Sequence, residues 1–291
     1  MQDRHVLSNA YLTVTVKADG AELCSLIDAA DQELLWQAGP AWPRHAPVLF
    51  PIVGALAGDT LRHAGHAYPM GRHGFARDRR FAWLERSATA CRLVLHDDAQ
   101  TRAHYPWPFR LELAYVLDDD ALSVRTTVAN TGRDVLPASW GAHPAFQWPI
   151  GDDVPAEAHT LEFDQPEPAP IRRLDAAGLL RPDPVPSPIE GHILRLDRSL
   201  FADDAVILDA PASTSVRYGA PGTPTIEVSW EGYRQLGLWS KPDADAAFLC
   251  IEPWHGYASP EGFDGDFTDK PGLLLIPTGE KRSMSYRIRV V

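Results

Sequence analysis

The chain has 291 residues, with Lys plus Arg at 27, Asp plus Glu at 39, a net charge of −12, 45% hydrophobic residues and 23% charged ones. Such an acidic balance argues against a phosphate-backbone partner, which needs a basic face, and against a polybasic membrane surface, while the local cluster Arg77, Arg79 and Arg80 leaves an anion site open. Three widely spaced cysteines, Cys24, Cys91 and Cys250, form no CxxC pair, so neither a zinc knuckle nor a thioredoxin-type site is expected and a reduced intracellular protein is the simplest expectation. The N-terminal residues lack the apolar core of a signal peptide, and no apolar run approaches the ~18 residues of a membrane span, so a cytoplasmic location is expected.

The 26 prolines and 21 glycines are spread along the chain and punctuate short apolar segments, the pattern of an all-β protein. Leu12, Val14 and Val16 alternate with threonines and predict a first strand; Leu23 to Ile27 and Leu34 to Trp36 follow. The nearly continuous apolar run Val48 to Gly54 is expected to be buried and to break at Pro51 and Gly54. In Arg62 to Tyr68, the His63-x-x-His66 spacing admits a metal, but the flanking residues read as a hairpin turn. Tyr68 to Arg77 is denser in functional side chains than in packing residues. Phe81 to Leu84 and Arg92 to His96 are the next strands.

Two period-2 strands come next: Phe109, Leu111, Leu113 and Tyr115, then Leu122, Val124, Thr126 and Val128, joined by a turn at Asp118 to Asp120. Trp140 to Trp148 is expected to be an aromatic loop around His143. Gly151 to Gly191, with prolines at 182, 184, 186 and 188, reads as a long surface excursion. Short strands resume at Ile193 to Leu196, Ala205 to Leu208, Ser215 to Tyr218, Thr225 to Trp230 and Leu236 to Trp239. The apolar run Ala246 to Ile251 predicts a strand that stops at Glu252, and Met284 to Val291 closes the chain. Helical spacing is scarce. The expected fold is therefore all-β, a large antiparallel β-sandwich with minor helix, formed by residues 1–291 as one domain.

No GxSxG elbow surrounds Ser139 or any other serine, and Gly-rich phosphate loops are absent. What remains is a set of single charged residues in aromatic context: His73 and Arg77, His143, and Glu252. Each alone has a bland explanation in backbone bonding, a surface ion pair or a solvated loop. Together they suggest a pocket that stacks a ring on aromatics and offers one acid and one base, which suits a sugar.

Leu49-Phe-Pro-Ile-Val-Gly54, His73-Gly-Phe-Ala-Arg77, His143-Pro-Ala-Phe146 and Ile251-Glu-Pro-Trp-His-Gly256 resemble the aldose 1-epimerase (galactose mutarotase) family, in its LacX-like branch, over about residues 5 to 290. The resemblance implies an isomerase that interconverts sugar anomers without a cofactor or metal. It implies His143 as general acid, Glu252 as general base, and His73 and Arg77 as sugar contacts. An aspartate contact falls on Asp204, with Asp203 the competing register. His255 receives no catalytic role. Many relatives carry a basic residue where this chain has Ala55, so one contact is expected to be missing or supplied by Arg44 or Arg72. Trp254 and Phe146 are expected to form an apolar wall beside the sugar. That wall would raise the Glu252 pKa, while the carboxylate would hold His143 protonated.

The expected partner is a small sugar, with no nucleic acid or membrane, for a monomer or homodimer. A hexose-phosphate 1-epimerase and a non-catalytic carbohydrate-binding module on the same fold are the alternatives.

Overall fold

The computed structural model describes residues 3–151, 153–242 and 246–291. Among these, helix is confined to one turn, Ala99–Arg102, and a few short 3-10 segments. No helix of the described residues is long and apolar enough to cross a membrane.

The largest sheet has nine antiparallel strands. In spatial order they are Ile193–Arg195, Thr160–Phe163, Ser215–Gly219, Ile226–Glu231, Lys281–Val290, Ala121–Asn130, Phe109–Asp118, Ala90–His96 and Ala82–Arg86. The Phe109–Asp118 and Ala121–Asn130 strands pair end to end, Phe109 opposite Asn130 and Asp118 opposite Ala121, so Asp119 and Asp120 form the turn. Their alternation buries Phe109, Leu111, Leu113 and Tyr115 on one face, as the period-2 pattern requires.

A second sheet carries the candidate site. It runs Trp140–Gly141, Phe248–His255, Gln235–Trp239, Val206–Leu208, with Ala145–Gln147 pairing the other end of Phe248–His255. Leu249 and Ile251 point inward, with Leu236 and Leu238 from the neighbouring strand, into the core shared with the nine-stranded sheet. The residues between them face outward. Phe248 and Cys250 join one small apolar cluster and Trp254 another, and Glu252 lies between the two on the same strand face.

Several expectations change at this sheet. The strand does not stop at Glu252; it continues to His255. Pro253 is tolerated because its carbonyl accepts from the Ala142 N–H, so its ring nitrogen faces that same side. There residues 142–144 leave the sheet between the two short strands, and no ladder bond is lost. Trp140 to Trp148 is accordingly two short strands around a three-residue loop that presents His143, rather than one loop. Leu34 to Trp36 forms no strand, and Leu35 makes one isolated bridge to Phe146. The 151–191 stretch is more than a surface excursion. It supplies the Thr160–Phe163 strand to the large sheet, and Arg172 bridges Ile207 beside the site. His63 and His66 flank a hairpin turn, as expected, and His63 Nδ1 lies 3.0 Å from an Asp266 carboxylate oxygen.

Candidate active site

A cavity of about 150 Å³ opens over the outward face of the Phe248–His255 strand, bounded by Trp42, His73, Arg77, His143, Asp204, Trp239, Glu252 and Trp254. A wider groove over the large sheet, lined by Ser123, Arg125, Ser229 and Arg287, holds no such acid–base set.

Glu252 is delivered by a strand paired on both sides, and its side chain is 1% exposed. His143 comes from the loop beside it, and its Nε2 lies 3.2 Å from Glu252 Oε2. Trp42 stacks on the imidazole with ring centres 5.0 Å apart at 26°, and Trp239 meets it edge-on at 5.8 Å. These two indoles hold the ring in place and exclude water from it.

Trp254 forms part of the floor. A Cβ at Gly237 would lie 2.4 Å from its Cη2, and one at Gly141 2.5 Å from its Cδ1. The flanking strands carry glycine where the indole crosses them, which lets a large ring lie against the sheet.

His73 sits at φ 67, in the left-handed region that a non-glycine residue rarely occupies. Its backbone N–H donates to the Gly54 carbonyl at 2.8 Å, and the Gly54 N–H donates to its Nδ1 at 3.1 Å. With Nδ1 accepting, the neutral ring carries its proton on Nε2. Burial, followed by the neighbouring His143 and the arginines, pushes the His73 pKa well below the usual range, so the ring is a neutral hydrogen-bond donor. Arg77 donates from Nη2 to the Arg72 carbonyl at 2.7 Å. Burial, with Arg44 beside it, pushes Arg77 down to about 10, so it stays cationic at neutral pH.

Asp204 lines the cavity and Asp203 is exposed. The Asp204 carboxylate accepts from Arg72 Nη2 at 2.8 Å and from the Ala205 N–H at 2.8 Å. Arg72 lies beside Ala55: a Cβ at Gly178 would be 3.4 Å from Arg72 Nη2 and 3.6 Å from the Ala55 Cβ. The cation near Ala55 thus comes from Arg72. Arg44 pairs with Asp78 instead.

Phe146 does not belong to the wall. It is fully buried in the main core near Tyr218, because it points to the opposite side of its strand from Ala145. Trp42 and Trp239 take the expected place, and sequence reasoning missed both. The one available signal was a tryptophan in the Pro- and Gly-rich segment 39–43 and another ending a strand. His255 packs against Trp140 away from the cavity.

The direction of the His143 shift runs against the expected protonated ring. Burial, then the field of Arg77, pushes its pKa down to about 3. Burial, then Asp204, pushes Glu252 well above the ordinary carboxylate range, with the Trp254 indole and Arg72 acting the other way. An ion pair here would put two charges in an apolar enclosure, so the neutral form of the pair wins, with the proton on the carboxyl. His143 Nδ1, Glu252 Oε2, Trp254 Nε1 and Arg77 Nε are buried without a hydrogen-bond partner in the protein. With Arg72 Nε, they make five orphaned polar atoms around one cavity, which suits a ligand rich in hydroxyls.

Residues 3–269 match the family model described as aldose 1-epimerase. The chain is 31% identical to the plasmid-encoded protein LacX of Lactococcus lactis subsp. lactis, covering 98% of each chain. A galactose mutarotase related enzyme from Lactobacillus acidophilus superposes with a TM-score of 0.92 at 28% identity, covering 99% of this chain and 97% of that one. A galactose mutarotase-like protein from Lactobacillus casei ATCC 334 gives 0.91 at 28% identity, covering 99% and 100%.

Proposed function

Because this chain belongs to the aldose 1-epimerase family, we propose that His143 and Glu252 are the proton-transfer pair with which it interconverts the α and β anomers of an aldose. It is an isomerase acting on carbohydrates. The observation that carries the residue assignment is the 3.2 Å contact between two buried titratable groups at the floor of a tryptophan-walled cavity.

Ring opening takes the proton from the C1 hydroxyl and delivers one to the ring oxygen, breaking the C1–O5 bond and leaving an aldehyde. Rotation about C1–C2 turns the other carbonyl face to the ring oxygen, and closure reverses both transfers. Protons alone move and oxidation state is unchanged, so one base and one acid suffice. Each positioned transfer is worth ~10²–10⁴-fold.

In the sugar-free pocket both groups are neutral, His143 with a single ring N–H and Glu252 with its carboxyl proton. Sugar hydroxyls that donate to Glu252 stabilise its carboxylate, and the proton then crosses the short contact to His143. Glu252 becomes the base for the C1 hydroxyl and His143 the acid for the ring oxygen. The Nε2–H of His73, the Arg77 guanidinium and the Asp204 carboxylate hold the remaining hydroxyls. The Trp254 indole packs on the C–H face of the ring.

The Arg44, Arg72 and Arg77 guanidiniums all act on His143, with Arg72 and Arg77 lining the cavity. That positive field supports a second reading, a hexose phosphate as substrate. Monomer or homodimer, a cytoplasmic location and a single domain over residues 1–291 belong to the same proposal.

The test is anomer exchange by NMR with glucose, galactose and glucose 6-phosphate. Acceleration of the neutral sugars supports the first reading, and acceleration of the phosphate alone supports the second. Binding without acceleration overturns both in favour of a carbohydrate-binding module.

A further inference from the structure

The proton-transfer pair has a third neighbour that the epimerase reading does not use. Alternation along Phe248–His255 puts the Cys250 thiol on the same strand face as Glu252, one pleat away. A ring nitrogen of His143, Cys250 Sγ and a Glu252 carboxylate oxygen all lie within 4.8 Å of one another. All three residues are buried. His143 Nδ1 and Glu252 Oε2 have no hydrogen-bond partner.

One nitrogen, one sulfur and one oxygen donor converging from two backbone segments is the donor set of a borderline-soft cation. Zn²⁺ takes His nitrogen and carboxylate oxygen at about 2.0–2.2 Å and thiolate sulfur at about 2.3 Å, in tetrahedral array. Donors at those bond lengths lie roughly 3.3–3.8 Å apart. From separations of up to 4.8 Å the three groups need to close by at most about 1.5 Å to meet that geometry. Mg²⁺ and Ca²⁺ want six or more oxygens and find a thiol here. His143 and Glu252 also line the cavity, so an ion held by them occupies its floor.

We propose that His143, Cys250 and Glu252 bind one Zn²⁺ ion, and that the ion inhibits the enzyme by occupying the two groups that move the protons. Uptake replaces the thiol proton of Cys250 and the carboxyl proton of Glu252, and both protons leave to water. His143 contributes a nitrogen lone pair. Two anionic ligands and one dication leave the buried site with no net charge, which is why an apolar enclosure accepts the ion. The ion cannot remain when His143 and Glu252 engage a sugar, so metal and sugar exclude each other.

The inhibition rests on the proposed roles of His143 and Glu252; the binding does not. The experiment separates the two. Protein freed of metal with a chelator is titrated with Co²⁺ and followed by absorption. We expect one Co²⁺ per chain, with a thiolate-to-cobalt band in the near ultraviolet and strong visible bands of tetrahedral Co²⁺, all bleached by one equivalent of Zn²⁺. Cys250→Ala removes the band, and Cys250→Ser does so while nearly keeping side-chain volume. Cys24→Ala and Cys91→Ala retain it. In the anomer-exchange assay Zn²⁺ inhibits the wild type, Mg²⁺ does not, and both Cys250 variants resist Zn²⁺. Their loss of affinity exceeds the roughly 10–100-fold that removal of an outer-shell partner costs.

Absence of the band in the wild type overturns the site, as does a band that survives both Cys250 substitutions. A band with all the expected features in a protein that exchanges no anomers leaves the metal site standing and overturns the epimerase reading.

Discussion

Replacing Glu252 by Gln separates chemistry from architecture at this site. Its carboxyl is buried and holds its proton when no sugar is bound. The amide has nearly the same volume and, like the protonated carboxyl, is uncharged where it meets His143 at 3.2 Å. No buried charge is stranded and no cavity opens, so the unfolding midpoint of Glu252→Gln stays close to wild type. The amide cannot release its proton to become a base. Anomer exchange therefore slows by the worth of one positioned proton transfer, ~10²–10⁴-fold, or about 2.7–5.4 kcal/mol in the barrier. The loss is expected to fall on kcat with KM little changed, because the hydroxyl contacts proposed for His73, Arg77 and Asp204 do not involve the substituted group. NMR exchange between the α and β signals, run beside thermal unfolding, reads both quantities. Near-normal exchange refutes the base assignment. A large fall in stability with an equal loss of rate refutes the reasoning that the resting carboxyl is neutral.

Gly237→Ala drives a methyl toward the Trp254 ring, 2.4 Å from Cη2; it costs about 1–3 kcal/mol of stability by overpacking and raises KM, measured by denaturation and anomer exchange. Phe146→Leu leaves a void in the main core and is expected to cost stability on the order of 1 kcal/mol while kcat and KM hold; a changed KM contradicts its placement outside the cavity. Burial pushes the Asp266 carboxyl up, but hydrogen bonds from His63, Thr268 and Ala64 outweigh it and hold the group well below the usual range. A depressed folded pKa stabilises the fold above the unfolded value and is lost below it. The stability difference between wild type and Asp266→Asn is therefore constant near neutrality and shrinks as pH falls below about 4, read from urea midpoints across pH.

The residues that patterning reveals are those whose role is set locally. Leu111, Leu113, Val124 and Val128 show their buried face through strict alternation, and the large sheet follows from them. His143, Glu252, His73 and Arg77 stood out as charges within aromatic motifs, and the fold brings all four to one cavity. What sequence could not show depends on the third dimension. Phe146 lies three residues after His143 in the motif, yet strand alternation turns it into the core. Trp42 and Trp239 come from segments with no motif and meet His143 through tertiary packing. Pro253 reads as a strand end, but its missing donor falls where the neighbouring strand is interrupted. The protonation of the pair depends on burial, on Asp204 and on arginines at positions 44, 72 and 77, which no local pattern encodes.

The central claim is that His143 and Glu252 act as one proton-transfer unit, and a double-mutant cycle tests it most directly. Anomer exchange is measured for wild type, His143→Asn, Glu252→Gln and the double variant. If both groups serve the same ring-opening step, the second substitution costs little once the first is made, and the double variant is about as slow as the slower single one. Losses that multiply, or singles that retain wild-type exchange, contradict the account.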